Sequence, residues 1–456
     1  MITVVGSGFG AFGIVKKLVD KSIRVRLITS TASKQINDVG IPLNMPSVQT
    51  SGLGGTSKIW GGGFAPFEKD DFNNWPIDYD DLLPYYKEVS SFFNFDFLKF
   101  KTKNHNENIK SQIDHIKFDK LKFLNKWFLI PLPIIRLKDY YDKWEKEGKI
   151  EIVYDEITKI NFSDKTALSS KKSYSYSKIV IATGCLNSSY ILHNSGIKNY
   201  NLGRFLSDHP KLYFASLTLK NHMPKNSIYA FMKYEDDQGV QVKTGLILNN
   251  PKIYGNHNIY LKPLFRDIET TKKIETLGTL IYTLQKDILK PNNLIHLLMN
   301  FKTLVQGAIY KFNLFQKYSQ VGLFGILENK PFAESKLDLS TPSTVDYNIS
   351  ENEITDYLNY FKDVSNSFGD SCKLLVDSKE KFLNNVSSAA HFTGTTRMGL
   401  TEDDGVVDEN LKIFNLDDIY VCDGGVFPSN GNANISMSIL AMSFRLGELL
   451  AKKQLI

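Results

Sequence analysis

The chain opens on "ITVVGSGFGAFG", and no other stretch limits its fold more. A β-branched run of this kind forms a buried parallel strand. Gly6, Gly8 and Ala11 follow as G-x-G-x-x-A. The first glycine permits a tight turn, and the second lets backbone approach a pyrophosphate. The third small residue lets helix and strand pack closely. Ile14, Val15, Leu18 and Val19 then recur at helical spacing, and "IRVRLITS" reads as a second strand. A βαβ start with this turn predicts dinucleotide binding at a helix N-terminus. The second strand should end in an acid for the ribose hydroxyls, but Thr29 stands there, followed by Ser30. A 2′-phosphate read by Arg24 or Arg26 is the alternative to a neutral ribose contact.

Two more strand-turn-helix pieces appear, "KIVIATGCLNSS" with a strand over Ile179–Ala182 and a helix from near Asn187, and "IYVCDGG" with a strand over Ile419–Cys422. A Gly/Asn-rich loop leads from the latter to a helix expected from about Ser436. With β-α-β pieces at the start, middle and end, a discontinuous α/β domain with insertions is the economical architecture. At 456 residues the chain exceeds one compact core. The nucleotide domain is expected over 1–95, 146–215 and 386–456, and a second domain over 96–145 and 216–385.

A net charge of +6 spread over this length predicts no nucleic-acid partner. Three cysteines without CxxC spacing exclude a disulfide framework and a zinc site, and no metal is expected. Cys422, beside Asp423, reads as inert packing. No secretory leader precedes the first strand and no long apolar run follows, so a cytoplasmic setting is expected.

A second glycine cluster, "SGLGGTSKIWGGGFAPF", suits a loop that lies against a flat ligand, with Gly54, Gly55 and Thr56 offering backbone amides and Trp60 ordering the run. Near the C-terminus stands "AAHFTGTTRMG". His391 can serve as a neutral base near pH 7, or it can cap the turn that follows it. His209, in "SDHP", precedes a proline and reads as a turn residue.

Together these stretches resemble the glucose-methanol-choline (GMC) oxidoreductases. "GLGGTSKIWGG", "WPIDYDDLLPYY", "IVIATGCLNSSYILHNSGI", "NLGRFLSDHP", "HFTGTTRMG" and the stretch from "VVDENLKIF" to "GNANISMSILAMSFRL" are similar to that family's segments, in its order. The nearest motifs are those of bacterial sugar and alcohol oxidoreductases and of pyranose-oxidase and cholesterol-oxidase relatives. The resemblance implies an α/β fold: a Rossmann-type FAD-binding domain and an inserted substrate domain built around an antiparallel sheet. It implies FAD, and oxidation of a CH–OH group in which a base takes the hydroxyl proton and hydride passes to flavin N5. The catalytic pair maps to His391 and Asn434. Ile435 replaces the family's proline and Ser436 its threonine. The implied cofactor set is Gly6, Gly8, Ala11, Thr29, Gly54, Gly55, Thr56, Trp60, Gly61, Ile157, Ala182, Gly184, Asp423, Gly424, Asn434, Ile435 and Ser436. Ile59 matches the position of the covalent histidine of some members, so FAD is expected to be non-covalent. A flavin-dependent lyase or decarboxylase, or a flavoprotein without turnover, are the alternatives.

The substrate is expected to be a small alcohol or sugar, lipid-linked forms included, and the electron acceptor stays open. Two insertion stretches, Lys117–Trp144 and Leu289–Phe312, are both apolar and basic. In the second, Leu294, Leu297, Leu298, Phe301, Leu304 and Val305 repeat at helical spacing. Such a stripe reads either as a core-facing face or as a face lying on an anionic membrane from the inner side.

Overall fold

A computed structural model describes residues 1–31, 37–38, 50–98, 121–129, 136–224, 233–235, 241–248, 255, 257–284, 295, 297–312, 317–341, 344–431 and 433–455. The elements that position the site are β1 (Ile2–Val5), α1 (Phe9–Asp20), β2 (Val25–Thr29), β3 (Ile150–Tyr154), β4 (Lys178–Ile181), α2 (Cys185–Asn194), β5 (Ile419–Val421) and α3 (Ser436–Leu455).

The five strands form one sheet in the order β5-β4-β1-β2-β3. Every neighbouring pair is parallel, with Ile2 opposite both Lys178 and Val25, Ile179 opposite Ile419, and Val25 opposite Ile150. Parallel strands need cover on both faces, which is why β1 is buried along its whole length. Cover on one face comes from α1 packed along α3, where the Gly13 amide donates to Ser443 Oγ at 3.1 Å across 430 residues of sequence. The expected strands and helices occur with shifted ends. Helix α2 starts at Cys185 rather than near Asn187, because Gly184, at φ 89°, already makes the turn and serves as its N-cap. α3 begins at Ser436, as the sequence predicts.

A second, largely antiparallel sheet is built from the intervening stretches. Its spine is Pro210–Pro224 paired with Lys317–Ile326, which in turn pairs with Asn258–Pro263. Gln241–Leu248, Leu121–Leu129 and Gly63–Phe64 extend it on one side and Cys372–Leu374 on the other. Its own core includes Phe214 stacked on Phe361 at 4.4 Å.

The apolar stripe of the second insertion is not core-facing. Leu298, Phe301 and Val305 are exposed, and Leu297 and Leu304 are half-buried. Periodicity correctly marks one face of a helix; it does not say what covers that face. Leu294 lies outside the described residues, as do 117–120 and 130–135 of the first basic stretch. No described helix is long and apolar enough to cross a membrane.

Candidate functional site

All five parallel strands deliver their C-terminal ends to one cleft of about 530 Å³. Gly6 follows β1, Ser30 follows β2, Asp155 to Ile157 follow β3, Ala182 to Gly184 follow β4, and Asp423 and Gly424 follow β5. Ligands of open parallel sheets bind at this edge, where the connections diverge from the central strand.

The first turn is fixed by backbone crowding. Gly6 has φ 102°, and a Cβ there would lie 2.1 Å from the Ala182 carbonyl oxygen. Gly10 is tighter still: a Cβ would meet the Cys422 carbonyl oxygen at 1.8 Å. Gly8 differs, because a Cβ there would meet nothing within 4 Å and would project into free space beside the cleft that Gly8 lines. Two glycines thus seat helix on sheet, and one keeps a ligand's approach open. Thr50 Oγ1 is buried beside this space with no partner among the described residues. An open backbone cradle at a helix N-terminus, with an unsatisfied hydroxyl nearby, fits a dinucleotide pyrophosphate.

The second glycine loop closes on the first. Ser7 Oγ donates to the Gly52 carbonyl at 3.1 Å and accepts from the Gly54 amide at 3.1 Å. The Arg136 guanidinium donates to the carbonyls of Ser57 at 2.7 Å and Trp60 at 3.2 Å. Trp60 is buried edge-on against Phe9, with centroids 4.9 Å apart. These ties order a glycine run that would otherwise be loose.

Gly6, Gly8, Thr29, Gly55, Thr56, Trp60, Gly61, Ile157, Ala182, Gly184, Asp423, Gly424, Asn434, Ile435, Ser436 and His391 all line the cleft. Ala11 and Gly54 do not. Ala11 is fully buried within α1, and Gly54, at φ 90°, shapes the loop behind the lining. Thr29 is buried, with its hydroxyl 2.8 Å from Ser7 Oγ. The carboxylates missing at β2 lie one strand over, in Asp155 and Glu156, which line the same end of the cleft. Arg26 is turned to Glu151 at 3.1 Å, and neither it nor Arg24 reaches the lining, so neither is placed to read a 2′-phosphate.

Asp423 binds three segments together. Its carboxylate accepts from the Gly184 amide at 3.0 Å, Ser188 Oγ at 2.5 Å and the Gly425 amide at 2.8 Å. Bonds to an ionised group contribute about 1.5–3 kcal/mol each. Burial nevertheless pushes its pKa up, against those bonds. Cys422 is fully buried, and burial drives its thiol pKa well above the ordinary value, so it is inert packing.

His209 is not a turn residue. Its ring is buried and meets His391 at right angles, centroids 5.1 Å apart, with the two Nδ1 atoms 3.1 Å from each other. Its Nε2 lies 3.2 Å from the Asn430 carbonyl oxygen. A carbonyl only accepts, so His209 Nε2 carries a hydrogen, and neutral His209 presents a bare Nδ1. His391 must then carry its hydrogen on Nδ1, which leaves Nε2 as an unprotonated acceptor on the far side of the ring. Burial holds both imidazoles below their ordinary pKa; for His391 the shift is large, and the neighbouring His209 and Lys211 add to it. Asp208, wholly buried, fixes the backbone here by accepting from the amides of His391 at 2.7 Å and Ala390 at 3.3 Å and from the Ser388 hydroxyl. Asp208 and His209 escaped the sequence reading because their partners lie 180 residues or more downstream, and Pro210 suggested a turn.

Asn434 Oδ1 accepts from the Ser436 amide at 3.1 Å and the Ser436 hydroxyl at 2.9 Å. The oxygen is thereby committed to the start of α3, and the amide N–H₂ is left for the cleft. Ile435 in place of proline does not disturb this start.

A glycine-seated parallel sheet, joined to an antiparallel sheet over a cleft lined by a histidine and an amide, defines a dinucleotide-binding α/β protein with a second domain. Models of the GMC oxidoreductase family match residues 140–211 and 348–443 of the chain, in the order the sequence motifs predict. The fold is similar to that of an FAD-dependent oxidoreductase from Chaetomium thermophilum, at TM-score 0.62 and 15% identity, covering 100% of this chain and 99% of the other. It is also similar to pyridoxine 4-oxidase from Mesorbium loti, at TM-score 0.61 and 13% identity, covering 98% of each chain. A curated relative, long-chain-alcohol oxidase FAO4B from Arabidopsis thaliana, is 34% identical over 56 residues. That match takes in 12% of this chain and only 8% of the oxidase's length.

Proposed function

We propose that the chain is an FAD-dependent oxidoreductase that oxidises a CH–OH group of a sugar or another alcohol. The observation that carries this reading is the histidine pair, whose hydrogen bonds leave His391 Nε2 bare and neutral in the cleft. Residues 1–95, 146–215 and 386–456 are read as the FAD-binding domain, the rest as substrate domain.

Bound FAD supplies the hydride acceptor. Gly6, Gly8 and the N-terminus of α1 would hold its pyrophosphate end, while Trp60, Ile157, Asp423 and Gly424 would wall the remainder. His391 Nε2 accepts the substrate's hydroxyl proton, and the electron pair left on oxygen drives the carbinol hydride out. His209 positions this base by accepting its Nδ1 hydrogen. The Asn434 amide donates to the same substrate oxygen as its negative charge grows, and the N-terminus of α3 adds a favourable dipole. A flavoprotein without turnover has no use for a base poised in this way, and a lyase-like reaction is told apart by leaving the flavin oxidised.

The base must be neutral to act, and its pKa is held well below the ordinary value. Activity is therefore complete above that lowered pKa and is lost only as pH falls through it. A pH profile of substrate-driven flavin reduction is expected to stay level through about pH 6.5, the reference for free histidine. An inflection at that value would show His391 unshifted.

The FAD is read as non-covalent, because Ile59, which lines the cleft, has no nucleophile to offer. Acid precipitation of the purified protein is expected to send all yellow colour into the supernatant. Flavin retained in the pellet overturns this point.

A further inference from the structure

The helix Phe301–Phe312 is packed with its apolar stripe outward. Its large buried side chain, Tyr310, donates its hydroxyl to the Pro263 carbonyl at 3.1 Å and lies edge-on to Phe265 and Tyr318. On the opposite side, Phe301, Val305, Ala308, Ile309 and Phe312 follow i, i+4, i+7, i+8 and i+11 spacing, and all are exposed. Just before them Leu298 is 63% and Met299 81% exposed. Twelve large apolar side chains are strongly exposed among the described residues, and seven of them fall within 295–312. Surface apolar residues normally occur singly; a cluster marks an interaction face.

Charge identifies the partner. Residues 288–327 contain Lys290, Lys302, Lys311 and Lys317 and no Asp or Glu. Lys302 is exposed beside the stripe. The acids of the helix that packs against this one are neutralised: Glu269 pairs with Lys273 at 2.7 Å, and Glu275 with Lys262 at 3.0 Å. An apolar stripe with the exposed Lys302 beside it, in a stretch whose sequence holds four lysines and no acid, complements an anionic bilayer. The apolar side chains would enter the interfacial layer, and Lys302 would reach the headgroups. No described helix is both long and apolar enough to cross a membrane, so contact with a bilayer would be made at its surface.

We propose that the surface formed by Leu298, Met299, Phe301, Val305, Ile309 and Phe312 docks this protein on an anionic lipid membrane. The proposal stands apart from the oxidation chemistry. Its test is flotation of the holoprotein with vesicles of phosphatidylcholine, with and without phosphatidylglycerol, at low and high salt. Wild type is expected to float with the anionic vesicles at low salt and to be released by high salt, as screening weakens each lysine contact. The L298E/F301E/F312E variant is expected to lose about tenfold or more in partitioning. Its FAD content and thermal midpoint should not change, because all three side chains are already exposed. Wild type left with the unbound fraction overturns the proposal, as does a variant that floats equally well. A wild-type dimer that the variant splits, seen by sedimentation in the absence of lipid, reassigns the face to a second copy of the chain and likewise overturns it.

Discussion

His391→Ala is expected to purify with bound FAD and to lose flavin reduction by substrate, by about 10²–10⁴-fold. The size follows from what the side chain does. Without Nε2 no neutral acceptor is placed at the cleft end, and the hydroxyl proton must leave to water. FAD is retained because the cofactor walls come from the strand ends and the two glycine loops, none of which depends on the His391 ring. His209 loses a partner at Nδ1 but keeps its bond to the Asn430 carbonyl, so the fold survives. Single-turnover reduction under anaerobic conditions reads the loss directly. A variant that reduces its flavin at the wild-type rate makes His391 a structural histidine.

The second large effect is expected at Gly10 and is separable from Gly8. A methyl at Gly10 would sit 1.8 Å from the Cys422 carbonyl oxygen and 3.2 Å from Asp423 Cα, both backbone. No side chain can swing aside, so α1 must lift off the sheet. Gly10→Ala is expected to cost about 3 kcal/mol, the upper range of overpacking, and to lose FAD along with stability. A methyl at Gly8 meets no protein atom within 4 Å. Gly8→Ala is therefore expected to keep its melting temperature as apoprotein and to bind FAD more weakly, because the methyl occupies the pyrophosphate's approach. Thermal unfolding of both apoproteins beside FAD titration separates the two roles. Equal stability of Gly10→Ala and wild type would contradict the packing account.

Much of the first half of this account was legible in the amino-acid sequence, for a physical reason. The βαβ turn is local: strand, turn and helix lie within thirty residues, and the positive φ of Gly6 and the open approach at Gly8 belong to that turn, although the Ala182 carbonyl that also crowds Gly6 is distant in sequence. Gly10, the tightest position, was not legible, since it is set by Cys422 more than four hundred residues away. The antiparallel sheet was hidden for the same reason, with Pro210–Pro224 pairing to Lys317–Ile326 across about a hundred residues. His391 and Asn434 could be picked out because they share motifs with a known family. The tautomer of His391 could not, because it is decided by His209 and by the carbonyl of Asn430. The outward stripe of Phe301–Phe312 shows the limit of periodicity. A helix records that one face is apolar, and only tertiary structure records whether protein covers it.

The central claim is that this cleft takes hydride from an alcohol once its hydroxyl proton has gone to His391. The most direct test is anaerobic mixing of the wild-type holoprotein with a panel of sugars, aliphatic alcohols and aromatic alcohols while the absorbance of oxidised flavin is followed. The account predicts bleaching by at least one of them, with the matching carbonyl compound formed in equal amount. Bound FAD that dithionite bleaches and no alcohol in the panel does would contradict it.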